Sequence, residues 1–253
     1  MKLYHQEYGE GFPLVVLHGL FGSSDNWHSL AQRFGSFFHV FCLDLRNHGR
    51  SPWDKHHSYE AMAEDVHDFF HQQGIRKAHL LGHSMGGKVG MHFAQRYPHL
   101  LDKMVVADMG IKSYTMHHQA ILMAIRALDL SKIRSRGEAA PLIARYIPEV
   151  EIQQFILKNL YWVEKGRLAW RMNTAVLERE MPNMLSALPR NESGTQTLFL
   201  RGALSNYILA EDEASIEELF PDSMIQTISN AGHWLHAEQP DAFFEAVMGF
   251  FLR

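Results

Sequence analysis

The chain has 253 residues, 46% of them hydrophobic and 21% charged, with a formal net charge of −4. That composition belongs to a soluble globular protein with a sizeable core, arranged as one large α/β domain or two small ones. The acidic balance, with no basic run interleaved with aromatics, excludes nucleic acid as the natural partner.

In chain order, the opening "MKLYHQEYGEG" holds no apolar segment of signal-peptide length, and no later stretch approaches a bilayer span. A cytoplasmic protein without membrane insertion is therefore expected. Short β-rich apolar runs then alternate with segments of helical period, the pattern of βαβ units on a mostly parallel sheet. Strands are predicted at 13–18, 39–44, 78–82, 103–108, 197–201 and 223–228, and helices at 24–34, 58–73, 85–97, 208–219 and 240–252. The single Cys42, in "HVFCLDL", reads as a buried strand thiol and leaves no internal disulfide. Glu211, Asp212 and Glu213 sit where a helix dipole favours them, in the first turns of the 208–219 helix.

The alternation stops over residues 111–191, which read as several helices rich in Met and aromatics, among them Met116, Trp162, Trp170 and Met181. We expect a core of residues 1–110 and 192–253 and a helical cap insertion between them. A separate helical subdomain, with methionines filling its own core, is the alternative.

"AHLLGHSMGGKVG" carries two overlapping motifs. Gly82, Ser84 and Gly86 make G-x-S-x-G, a nucleophile turn. Gly82, Gly87 and Lys88 nearly make a phosphate-binding loop, and both motifs expect a strand before and a helix after. The phosphate loop needs a hydroxyl after the lysine to hold Mg²⁺, and Val89 offers none. In the nucleophile reading, the Met85 amide stands at a helix N-terminus, ready for an oxyanion. The glycine-rich loop in "LVVLHGLFGS" offers the Leu20 amide as a second donor. "SNAGHWLHAEQPDAF" places His233 after the last strand as the base; His236, three residues on, competes for that role, and His83 reads as a packing residue.

With "HGLFGS", "DLRNHGRS", "GHSMGGK", "VADMG" and "GHWLHAEQPDA", the sequence resembles the α/β-hydrolases, and the YbfF-type esterases among them. The resemblance spans the core. It implies an eight-stranded sheet, or one shortened at its N-terminal edge, and hydrolysis of carboxylic esters or thioesters through Ser84 and His233 without metal or organic cofactor.

Most α/β-hydrolases carry the triad acid after the strand that follows the cap, where this chain has "RGALSNY" and Ser205. The chemistry still needs a buried carboxylate on the histidine Nδ1. Asp108, ending "KMVVAD" beside the serine's own strand, is the preferred candidate, and the YbfF-type resemblance extends to this aspartate. Asp44, in a structural turn, and Asp212, within the following helix, are weaker. A loop aspartate capping the first cap helix is the structural alternative for Asp108. Ser205 is expected to accompany the histidine. Phe21, Met123, Met172, Met184, Ser205 and Trp234 are candidates for contact with substrate, with burial the preferred reading of Trp234. His67 and His71 have zinc-compatible spacing but no further ligand pattern, so a solvated helix face is expected.

The expected partner is thus a small-molecule acyl ester or thioester. A C–C bond hydrolase on the same triad, with Arg126, Arg145 or Arg171 receiving a carboxylated substrate, is a second reading. A slow small-molecule receptor and a nucleotide-binding module are others. Dehalogenase and epoxide hydrolase chemistry would place Asp where Ser84 stands.

Overall fold

The computed structural model describes residues 1–116 and 118–253. Nine strands are formed among them: β1 His5–Tyr8, β2 Pro13–Leu17, β3 His39–Leu43, β4 Ala78–His83, β5 Leu101–Ala107, β6 Leu160–Glu164, β7 Arg167–Trp170, β8 Gln196–Gly202 and β9 Ser223–Ile228. Seven make one sheet in the order β1-β3-β2-β4-β5-β8-β9. All its pairings are parallel except that of β1 with β3. The sheet is the shortened form: one strand, β1, stands where a first hairpin would be. Its "HQEY" lacks apolar alternation because it lies at an edge, which hid it from sequence reading.

Helices α1 His28–Phe34, α2 Tyr59–Gln73, α3 Met85–Arg96, α9 Glu213–Leu219 and α11 Pro240–Phe251 accompany this sheet, with the short α10 Leu235–Glu238 before the last of them. Strand side chains alternate between faces. Leu14 and Val16 pack with Trp27, Phe34, Phe243 and Val247 of the α1 and α11 layer. Val15 and Leu17 turn the other way, towards Met62 and Phe69 of α2 and Val89 and Phe93 of α3. The predicted α2 is closely matched: Ser58 caps it by accepting the Ala61 N–H, and Gly74 ends it at φ 66°.

Between β5 and β8 lie α4 Gln119–Ala127, α5 Arg136–Ile143, α6 Val150–Leu157, α7 Thr174–Arg179 and α8 Met181–Met184. The expectation of helices alone needs correcting, because β6 and β7 form an antiparallel hairpin here. Its outer residues Trp162 and Val163 are exposed, so the run carries no buried-strand signature. The buried side chains of this segment, Ile143, Ile156, Met172 and Met184 among them, join the cluster on the α2 and α3 face.

Lys88 ties down both ends of the segment. Its ammonium, fully buried, donates to the carbonyls of Lys112 (3.0 Å) and Ser186 (2.6 Å). Burial pulls its pKa down to about 8. The lysine that suggested a phosphate loop is thereby occupied with the chain's own backbone. No helix among the described residues is long and apolar enough to cross a membrane.

Candidate active site

β4 ends at His83 and α3 begins at Met85, leaving Ser84 alone to make the turn at φ 52°, ψ −119°. A left-handed φ costs a non-glycine residue about 1–2 kcal/mol, so its surroundings must impose it. Two glycines permit the close approach. A Cβ on Gly82 would lie 2.3 Å from the Gly86 carbonyl oxygen, and one on Gly86 would lie 2.5 Å from that of Leu17. The Ser84 N–H donates to Ala107 at 3.0 Å, locking the turn to the neighbouring strand.

β5 delivers Asp108 next door, also at positive φ (49°) and wholly buried. His233 joins the two. Its Nε2 lies 3.0 Å from Ser84 Oγ, and its Nδ1 lies 2.8 Å from Asp108 Oδ2. The carboxylate can only accept, so Nδ1 carries the proton and Nε2 is left to accept from the serine hydroxyl. Asp108 Oδ1 also accepts the Gly202 N–H at 3.0 Å, and Oδ2 accepts the Ser205 hydroxyl. Ser205 therefore accompanies the aspartate, not the histidine as expected.

Asp44 and Asp212 lie elsewhere. Asp44 accepts the N–H groups of Ser24 and Arg50, binding a turn. Asp212 accepts the Leu209 N–H and pairs with Lys112. His236 stacks on Trp27, with centroids 4.6 Å apart, and burial pulls its pKa down to about 3. His83 donates from Nε2 to the His233 carbonyl at 2.8 Å, fixing the backbone of the histidine beside Ser84. His67 stacks on Tyr97, and no metal-binding cluster forms among the described residues.

The loop after β2 faces the serine turn. Gly19 has no room for a side chain, since a Cβ there would stand 3.3 Å from that of Ser84 and 2.9 Å from His83 Nδ1. Residues 19–22 form a turn closed by Gly22 N–H to Gly19 O at 2.9 Å, with Phe21 at φ 62°. Met85 begins α3, so its amide is one of the donors that a helix N-terminus leaves unpaired.

A cavity of about 610 Å³ opens on Ser84, His233, Leu20 and Phe21. Trp234 lines it as well, half-buried rather than wholly buried as preferred from sequence. The methionines do not. Met172 and Met184 are buried in the core and Met123 is 44% exposed, and none of the three is among the described residues lining the cavity. The wall from the inserted segment combines the apolar Ile121, Ile152 and Phe155 with polar residues, among them His118, Glu149, Gln154 and Lys158. Ile152 and Phe155, three apart on α6, share one face, a signal indistinguishable in sequence from any amphipathic stripe. Tyr207 also escaped sequence reading: its ring stacks on His233 at 3.8 Å. Arg126 pairs with Glu178 and Arg171 lies over Tyr161, and no arginine is among the described residues lining the cavity.

The model of the alpha/beta hydrolase family matches residues 14–246. The sequence is 35% identical to Esterase YbfF of Escherichia coli, over 93% of this chain and 91% of that one. It is 38% identical to the mouse sn-1-specific diacylglycerol lipase ABHD11, over 94% of this chain and 80% of the relative. Among solved structures it is similar to a marine microorganism esterase, with 39% identity, a TM-score of 0.96, and coverage of 98% of this chain and 99% of that one.

Proposed function

Since the chain belongs to the alpha/beta hydrolase family, we propose that it is a serine hydrolase cleaving carboxylic esters or acyl thioesters through an acyl-enzyme. The observation that carries this reading is the line from Ser84 Oγ to His233 Nε2 (3.0 Å) and from His233 Nδ1 to Asp108 (2.8 Å). Ser84 Oγ attacks the acyl carbon while His233 Nε2 takes its proton. Asp108 keeps the proton of Nδ1 in place and stabilises the imidazolium. The amides of Leu20 and Met85 receive the oxyanion. His233 then returns its proton to the departing alcohol or thiol. Water, activated by the same nitrogen, frees the acid and restores Ser84.

In this reading residues 111–191 are a cap, and its Ile152 and Phe155 form the apolar wall against the acyl chain. None of Arg126, Arg145 and Arg171, the arginines considered for a carboxylated C–C substrate, is among the described residues lining the cavity, where Lys158 is the cation that the inserted segment supplies. The mouse relative's name adds diacylglycerols to the substrates worth trying. The test is a panel of acyl esters and acyl thioesters of graded length, run with wild type and Ser84→Ala. Steady turnover by wild type alone is expected. Turnover unaffected by Ser84→Ala would end the serine mechanism, and single-turnover binding without release would favour a receptor.

A further inference from the structure

The backbone of Phe21 is gripped from both sides. Its N–H donates to His48 Nε2 at 3.2 Å, and its carbonyl accepts from Asn159 Nδ2 at 2.8 Å. His48 comes from the "DLRNHGRS" turn, and Asn159 from the inserted segment just after α6. Both side chains are buried, His48 completely. His48 Nδ1 donates to the Arg46 carbonyl at 2.9 Å, which leaves Nε2 as the acceptor. Asn159 Nδ2 also reaches the Phe155 carbonyl, so both neighbours of that nitrogen are acceptors.

Three residues before Phe21, His18 Nδ1 donates to the Gly19 carbonyl at 2.8 Å while its Nε2 accepts the Leu45 N–H at 3.0 Å. In a trans peptide the Leu20 N–H points opposite to the Gly19 carbonyl. The plane that aims the Leu20 amide is therefore set by His18 and the Gly22 N–H, which share the Gly19 carbonyl, and the turn that follows it by His48 and Asn159. Phe21 holds φ 62°, a conformation that needs outside support in a bulky residue.

We propose that His48 and Asn159 are positioning residues for the oxyanion site, holding the 19–22 turn so that the Leu20 amide stays aimed at the reacting carbonyl. This rests on the serine-hydrolase reading above. Through Asn159, the seating of the inserted segment is coupled to the electrophilic half of the site, although Asn159 itself is not among the described residues lining the cavity. Burial supports the role of His48 by pulling its pKa down to about 3, so the ring remains a neutral acceptor.

The experiment compares His48→Phe, His48→Gln and Asn159→Ala with wild type. It measures kcat and KM on a short-chain ester, the inhibition constant of a trifluoromethyl ketone that adds to the serine, and the melting temperature. Losing a whole oxyanion donor costs roughly 10²–10³ in kcat. His48→Phe, which only frees the turn, should lose about 10- to 100-fold in kcat with KM little changed, by the same reasoning. The ketone should weaken in parallel, since its adduct carries the oxyanion. His48→Gln, whose side-chain oxygen can accept the Phe21 N–H, should recover most of the loss. Asn159→Ala should show the same kcat and ketone pattern at smaller amplitude, and it carries the test if His48→Phe does not fold. Lower melting temperatures with unchanged kcat and ketone affinity would overturn the proposal and leave both residues merely structural. Full turnover by Ser84→Ala would instead sink the serine-hydrolase reading beneath it.

Discussion

At the carboxyl ends of β4 and β5, Ser84 and Asp108 both stand at positive φ, 52° and 49°. Around Ser84, glycines sit where a Cβ would overlap backbone atoms. In residues 111–191 the only positive φ among the described residues belongs to Gly166, at the β6–β7 turn. The apolar part of the cavity wall there, Ile121, Ile152 and Phe155, is held by packing against the core. The strand ends are thus fixed by backbone geometry and the insertion by volume and shape. The difference implies that substitutions at the strand ends remove rate whatever their size, while those in the insertion shift preference among substrates.

Ser84→Ala breaks the comparison hardest. It should cost on the order of 10⁶ in kcat, as loss of a nucleophile does elsewhere, and leave the melting temperature near that of wild type. Asp108→Asn should fold yet lose up to about 10⁴-fold in turnover, because the amide favours the wrong histidine tautomer. Near-normal turnover in folded Asp108→Asn would move the acid elsewhere, and Asp212 would be next to test. Adding Ser205→Asp to that variant should restore part of the rate, since Ser205 Oγ already touches the Asp108 carboxylate.

Acid should expose the same contrast through stability. Burial holds the pKa of His18 at about 4, and those of His48 and His57 at about 3, against roughly 6.5 in an unfolded chain. Below pH 6.5 the unfolded state binds protons that these folded rings refuse. The stability they leave intact above pH 6.5 is therefore lost as pH falls, by about 1.4 kcal/mol per pH unit for each ring. All three lie in the loops of the core. Urea midpoints should drop between pH 7.5 and 5.5, and His57→Leu should flatten that slope. A slope unchanged by His57→Leu would remove this ring from the account.

The smallest effect sharpens the other side. Ile152→Ala and Phe155→Ala should change kcat/KM ratios across an acyl-length series by up to about 10-fold. Met172→Leu, away from the cavity, should change only stability. A profile that followed Met172 and ignored Phe155 would return the methionines to the substrate site.

The strand-end arrangement was legible because it depends on residue types that few other structures demand. G-x-S-x-G without a hydroxyl after Lys88, a histidine after the last strand, and an aspartate ending "KMVVAD", taken with the resemblance to the YbfF-type esterases, singled out three residues that the fold brings within hydrogen-bond reach. The insertion was not legible. Its hairpin buries only Leu160 and Leu168 fully, so no buried-strand run marks it, and its apolar residues are interchangeable in type between core and cavity wall. Sequence therefore preferred Met172 and Met184 where the cavity uses Ile152 and Phe155. Tyr207 and Asn159 escaped for another reason: each meets its partner at the site, His233 or Phe21, across the fold, which local spacing does not reveal.

The central claim is that Ser84 is activated by His233 and Asp108 at the strand ends. Covalent labelling with a fluorophosphonate, followed by peptide mapping, tests it most directly. A single adduct on Ser84, formed rapidly in wild type and slowed in both His233→Ala and Asp108→Asn, is the result expected. Labelling that persists in Ser84→Ala, or that proceeds at the wild-type rate without His233, would contradict it.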